Sequence, residues 1–317
     1  MQNHIFESER FSSLEMIIDC HVHAFIGKQA NLLELRKRLN GSRREAVVLR
    51  VKDPAYHKAV WGDPQDATEI LLNDMDAHGI DKSLIQPSGF RYLNPLVINA
   101  CKKHPDRFAG LMFTQEGFPV AEGKKVDFDD IAKEIKTCVD SGVIKGLGET
   151  NLDQFTTESA PEKMAKDIFP LMDILAKYKL PVQFMSGWNQ FGSYIWHGVP
   201  MYVDMLAHHY PEVPIVITKM GRGFTFLFEM ALALASKHEN VYLDATDTAP
   251  EHIARAVHDA GADRLMWGTD WCSTWRSTYS PCLYSKRMKD VEDSGISEED
   301  KEWVMWKTAA TVYKLAV

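Results

Sequence analysis

Eight short apolar runs, each followed by a longer amphipathic stretch, limit what this 317-residue chain can fold into. They lie at Met16–His23, Ser83–Pro87, Phe108–Thr114, Ile144–Glu149, Pro181–Gly187, Pro214–Gly221, Val241–Asp247 and Arg264–Asp270. Each stops at a polar or glycine-containing turn. Strands that are apolar on both faces belong in a parallel sheet covered by helices. Helical patterns fill the intervals. Pro64–His78 opens with carboxylates and closes at Gly79, Phe128–Ser141 closes at Gly142, and Lys163–Lys179 stops before Pro181. Phe224–His238, Pro250–Ala260 and Glu298–Leu315 complete the series. Alternation without a linker or a shift in composition predicts an α/β fold, a (β/α)8 TIM barrel. It would form a single domain over residues 1–317, with 1–15 as an N-terminal extension. A doubly wound open sheet is the alternative, since alternation does not show closure.

Residues 32–61 and 188–199 are long excursions after the first and fifth strands. In a barrel such loops gather over the C-terminal face, where chemistry is done; otherwise they are variable surface. The second is rich in aromatics and amides, which suits a pocket wall or a subunit contact.

The net charge of −8 argues against a nucleic-acid or anionic-membrane partner and leaves room for a local basic pocket. Five cysteines without a CxxC pair argue against a disulfide framework or a zinc-finger cage and fit a reducing compartment. The N-terminus lacks a basic region followed by an apolar core, and no apolar run approaches the ~20 residues of a membrane span. The expectation is a cytoplasmic protein acting on a small molecule.

Two strand ends carry the chemistry. In Ile17-Ile18-Asp19-Cys20-His21-Val22-His23, alternate residues of a strand face one side, so His21 and His23 offer two imidazoles to one ion. In Leu265-Met266-Trp267-Gly268-Thr269-Asp270, the terminal carboxylate can bind a metal or take a proton from water; an Asp there also serves as a helix N-cap. First and last strands are neighbours in a closed barrel, which joins the two sets.

IIDCHVH, MDAHGIDKSLIQP, KKHPDRFAGL, the WGTDW strand end and SEEDKEWVMWKTAATVYKL together resemble the amidohydrolase-2 family of metal-dependent hydrolases. The resemblance runs through most of the chain in the family's order. It implies a TIM barrel with a divalent metal that hydrolyses C–N or C–O bonds or decarboxylates aromatic and enol acids. It implies His21 and His23 as ligands, with Asp270 as ligand or general base.

Two positions depart from the family pattern. Met185 stands where the fifth strand usually ends in a ligand histidine, and a thioether is a soft, neutral donor. Lys219 stands where the sixth strand usually carries the histidine of H-x-G, and a protonated lysine repels a metal. The loss of two imidazoles argues against a binuclear centre. His21, His23 and Asp270 still suit one ion of zinc, manganese or iron, or the site holds none. Glu149, at the end of the fourth strand, is a fourth ligand or a structural carboxylate; related barrels of the TatD type carry a ligand there. Lys219, helped by Arg222, holds a substrate carboxylate or an oxyanion, forms a Schiff base, or fills the metal position by a salt bridge. His197 reaches the pocket or packs its loop. Asp244 and Asp247 orient a neighbour or cap a helix, and Trp271, Cys272 and Trp275 are candidate pocket lining. The expected activity is hydrolysis of a lactone, amide or related bond in a small anionic substrate. Decarboxylation or another lyase reaction comes second, and a metal-free enzyme or binding protein third. A homodimer is implied by the family resemblance alone.

Overall fold

The computed structural model describes residues 11, 14–26, 65–87, 91–114, 120, 123–187, 195–271 and 283–317. The excursion at 32–61, residues 188–194 of the second one, Cys272 and Trp275 lie outside them, as does most of the N-terminal extension.

Eight parallel strands form the central sheet in the order β1 (Ile18–Val22), β4 (Lys82–Ile85), β5 (Phe108–Met112), β6 (Ile144–Thr150), β7 (Val182–Met185), β8 (Ile215–Thr218), β9 (Val241–Asp244) and β10 (Leu265–Met266). A small antiparallel pair, β2 (Phe25–Ile26) and β3 (Gln65–Asp66), stands apart. Spatial order equals chain order, as right-handed crossovers around a barrel require. The last strand closes on the first through Cys20 N–H to Trp267 O at 3.0 Å and Asp270 N–H to His21 O at 2.9 Å. A bridge between Val22 and Trp271 adds to the seam. The fold is a (β/α)8 barrel, so the open-sheet alternative is excluded.

The helices are α1 (Thr68–His78), α2 (Asn94–Lys103), α3 (Phe128–Asp140), α4 (Pro161–Tyr178), α5 (Tyr202–His209), α6 (Thr225–Lys237), α7 (Pro250–Ala260), α8 (Leu283–Asp293), α9 (Glu298–Glu302) and α10 (Thr308–Tyr313). Their ends follow local chemistry. Asp127 caps α3 by accepting from Asp130 N–H, Pro161 and Pro250 open α4 and α7, and Gly79 ends α1 in the left-handed region. The predicted Pro64–His78 helix begins at Thr68, beyond Asp66, whose carboxylate accepts from Thr68 N–H. α2, α5 and α8 lie outside the predicted series: α2 and α5 are short, α2 starting Asn-Pro, while α8 carries six charged residues in eleven.

Two buried layers hold the barrel. Between strands and helices lies the larger, with Val22, Leu71, Met75, Leu147, Phe184 and Trp267 among its members. Inside the barrel, Ile18, Cys20, Leu84, Leu111, Val216 and Met266 meet Trp306, Ala309, Val312 and Tyr313. The C-terminal segment, a π turn at Trp303–Lys307 running into α10, thus seals the barrel floor. Gln183, buried in β7, donates to Cys20 O and to Tyr313 Oη, tying floor to strands. The strand-end candidates His21, His23, Glu149, Lys219 and Asp270 lie at or just beyond the C-terminal ends of the strands that this plug closes off. Among the described residues no helix is long and apolar enough to cross a membrane.

Candidate active site

Simple alternation along β1 would send Asp19, His21 and His23 to one side, but the strand does something else. Its pairing runs from Asp19–Ser83 to Val22–Ile85, one residue more on β1 than on β4. Such an insertion re-aims side chains. Ile18 and Cys20 face the barrel interior, while Asp19 turns outward to Thr269 and Tyr284. The extra residue brings His21 inward above Cys20, with His23 beside it. The same device recurs in β6, where the pairing from Leu147–Val182 to Thr150–Phe184 again holds one extra residue. It turns Glu149 toward the histidines. Gly148 makes room for this: a β-carbon there would stand 2.4 Å from Gln86 Oε1. That oxygen accepts from Glu149 N–H at 2.7 Å and fixes the bulge.

The two imidazoles are held by their Nδ1 atoms. His21 Nδ1 lies 2.7 Å from Asp244 Oδ2, and His23 Nδ1 lies 3.2 Å from Pro87 O. A carbonyl can only accept, so His23 Nδ1 carries the hydrogen and Nε2 presents its lone pair. Asp244 imposes the same tautomer on His21. Asp270 Oδ1 stands 3.7 Å from His21 Nε2 and 3.4 Å from His23 Nε2. One donor atom from each of His21, His23 and Asp270 lies within 4.8 Å of the other two, and all three residues are buried. Glu149 Oε2 adjoins both imidazoles, at 3.6 Å and 3.8 Å.

Lys219 enters the same cluster. Its Nζ is 2.6 Å from Glu149 Oε1, 3.6 Å from Asp270 Oδ2 and 3.2 Å from His21 Nε2. Thr218 Oγ1 donates to the same Glu149 oxygen at 3.0 Å. The ammonium is placed by an uncommon backbone: Lys219, Met220, Gly221, Arg222 and Gly223 all have positive φ, at 60°, 40°, 84°, 54° and 82°. Non-glycine residues rarely adopt that region, and three of these five are not glycine. Asp270 is similar, with φ of 61°.

Electrostatics follow from burial and these contacts. Burial works against charge on Lys219, Glu149, Asp270 and His21. At Lys219 it is outweighed by Asp270 and Glu149, which hold the ammonium charged above the usual lysine value. At Glu149 the Lys219 ammonium and His21 outweigh it and keep the carboxyl well below its ordinary range. Asp270 is likewise lowered against burial, chiefly by the Lys219 ammonium. Burial and the Lys219 ammonium disfavour an imidazolium at His21, but Glu149 and Asp244 prevail and raise its pKa to about 10. His21 Nε2 therefore attracts whatever cation is at hand: a proton, the lysine head or a metal ion.

The donor set fits one divalent ion. Two imidazoles with their Nε2 atoms turned inward, once His21 gives up its proton, and one ionised carboxylate are a known ligand set for zinc, manganese or iron with positions left open. Occupation would require His21 Nε2 to lose its proton and its 3.2 Å contact with Lys219 Nζ, while the ammonium keeps Glu149 and Asp270.

The remaining sequence candidates are spread around this centre. Met185 ends β7, in register with Thr218 and partly exposed. Arg222 is partly buried against Gly187, whose φ of 97° and lack of a side chain let the arginine pack there. No carboxylate pairs with Arg222 among the described residues. His197 is buried, with Nε2 3.0 Å from Glu158 O and its pKa lowered by burial, so that nitrogen is engaged within the loop layer. Trp271 is buried and donates its indole N–H to Asp74 on α1 at 2.9 Å, toward the helix shell. Asp247 pairs with Arg287 of α8, and Asp244 orients His21. Gln86 and Thr218 were not singled out from sequence, because an amide and a hydroxyl at strand ends carry no motif of their own.

The comparisons agree with the geometry. The model of the amidohydrolase family matches residues 18–315. Among solved structures, this barrel is similar to a 5-carboxyvanillate decarboxylase from Novosphingobium aromaticivorans complexed with manganese and 4-hydroxy-3-methoxy-5-nitrobenzoic acid. That match has 18% identity and a TM-score of 0.59, covering 95% of this chain and 96% of that one. It is also similar to a probable 2-pyrone-4,6-dicarboxylic acid hydrolase from Acinetobacter baumannii with citric acid bound, at 16% identity, TM-score 0.58, and 94% and 99% coverage. A third is 4-oxalomesaconate hydratase from Rhodopseudomonas palustris, at 17% identity, TM-score 0.61, and 94% and 96% coverage. No curated protein matches the chain. With a family match over nearly its whole length and the strand-end cluster in place, the chain belongs to the amidohydrolase family.

Proposed function

We propose that this amidohydrolase-family chain is a hydrolase that uses one divalent ion to open a lactone, amide or related C–O or C–N bond in a small anionic substrate. The observation that carries the reading is the inward presentation of His21 Nε2, His23 Nε2 and Asp270 Oδ1 beside a buried ammonium. His21, His23 and Asp270 would hold the ion, with Glu149 as a further donor next to them. When bound, such an ion supplies Lewis acidity for a carbonyl and for water.

The chain's own residues divide the remaining work. Asp270, ionised at neutral pH, accepts the proton lost from water as it attacks. Lys219 faces negative charge that develops on the substrate oxygen, and its burial makes that interaction stronger than in bulk water. Arg222, with no carboxylate partner among the described residues, binds the substrate's own carboxylate at the mouth. Met185, partly exposed at the end of β7, lines the wall beside them, whereas Trp271 and His197 serve to hold the surrounding shell and loop in place. We place the protein in the cytoplasm, with zinc, manganese or iron as the ion and a homodimer as its assembly.

A lyase reading rests on the same cations. A buried ammonium and a guanidinium without a carboxylate partner among the described residues also suit loss of CO2 from a cyclic acid. The test is turnover of a panel of lactones, amides and aromatic or enol carboxylates by protein loaded with Zn²⁺, Mn²⁺ or Fe²⁺. Hydrolysis incorporates one ¹⁸O from labelled water into the organic product; decarboxylation releases CO2 and leaves the product unlabelled. Absence of turnover with each metal, in protein that binds the metal, would favour a binding role for the barrel.

A further inference from the structure

The carboxylates of the cluster are divided between two cations. Glu149 turns Oε2 to the imidazoles at 3.6 Å and 3.8 Å, and Oε1 to Lys219 at 2.6 Å. Asp270 does the same, with Oδ1 at 3.4 Å from His23 and Oδ2 at 3.6 Å from Lys219. Each carboxylate thus has one oxygen on the imidazole side and one on the ammonium side. This is how carboxylates bridge two positive centres. One is the place enclosed by His21, His23 and Asp270; the other is filled by Nζ of a side chain only 2% exposed.

The position of that ammonium is built into the backbone. Five consecutive positive-φ residues follow Thr218, and Thr218 itself fixes the Glu149 oxygen that Lys219 contacts. Strain of this kind persists only where the surrounding structure over-determines it. A lysine held there merely to neutralise charge would not need such a turn.

We infer that Lys219 is a resident second cation: it occupies the place that a second divalent ion would need and confines the pocket to one. This rests on the reading that the first place takes a metal. Removing the ammonium has two separable effects. Replacing it by an uncharged, unbranched side chain of similar length removes repulsion and tightens the first ion. Truncating it also vacates volume between Glu149 Oε1 and Asp270 Oδ2 and admits a second ion.

The test uses Mn²⁺ with full-length, chelator-stripped protein, followed by calorimetry and by electron paramagnetic resonance, which separates isolated from spin-coupled ions. Wild type should bind one ion with an uncoupled spectrum. Lys219→Met should bind one ion at least about tenfold more tightly, as expected for removing a like charge from a buried site. Lys219→Ala should take a second ion at millimolar Mn²⁺ and show a coupled spectrum. A K219M affinity within threefold of wild type overturns the inference, as does a K219A protein that takes up no second ion. If K219A does not fold, the K219M affinity decides. Failure of wild type and both variants to bind any ion would instead sink the metal reading of the proposed function.

Discussion

Asp244 touches no reacting group, yet it decides which nitrogen of His21 faces the cluster. At 2.7 Å from Nδ1 it holds the ring's orientation and raises the basicity of Nε2. Asp244→Asn keeps the size and loses the charge. We expect it to lower Mn²⁺ affinity by about 10- to 100-fold with little change in melting temperature. Unchanged affinity in calorimetry would show that His21 is not a ligand. The convergence of His21, His23 and Asp270 was legible in the sequence because strong donor residue types at strand ends stand out there. Met185 and Lys219 were legible as departures from a pattern. What Lys219 contacts was not, since the choice among Glu149, Asp270 and solvent depends on backbone angles that composition does not reveal. Gln86 was invisible for a similar reason: it acts through a backbone amide.

At the scale of elements, the strands do more than deliver side chains by alternation. All eight apolar runs form strands, because burial on both faces writes itself into composition. Their ends are shorter than the runs: Arg264–Asp270 yields only Leu265–Met266 as strand. The remainder leaves the ladder to place Asp270. The extra residues in β1 and β6 were also hidden, since a bulge changes parity without changing hydrophobicity. Gly148 makes the second bulge testable. A methyl group there meets Gln86 at 2.4 Å and must push away the oxygen that holds Glu149 N–H. Gly148→Ala should cost about 1–3 kcal/mol in urea unfolding. Adding Gln86→Ala should recover part of the loss by emptying the contested space. A double variant less stable than G148A alone would contradict the contact.

For the whole molecule, pH enters through a carboxyl behind the barrel wall. Asp19 is fully buried between β1 and α8, and burial raises its pKa from 3.8 to about 7 against hydrogen bonds from Thr269 and His21 N–H. A folded pKa above the unfolded one means the fold prefers the protonated form. This contribution is complete below pH 4 and is lost as pH rises through 7, up to about 4 kcal/mol in all. Chelator-treated protein should therefore unfold at lower urea at pH 8 than at pH 5, and Asp19→Asn should flatten that slope. Parallel slopes for the two proteins would exclude Asp19 as the source.

The plug formed by Trp306, Ala309, Val312 and Tyr313 also governs traffic. With its floor packed shut, the barrel is a blind well, and whatever enters must leave by the same rim. Product has to clear before the next substrate arrives, so the two compete for one doorway. Water and protons queue there as well. With Arg222 in the role proposed for it, a product that keeps its charge would be held as the substrate is, and release rather than bond cleavage would become the bottleneck.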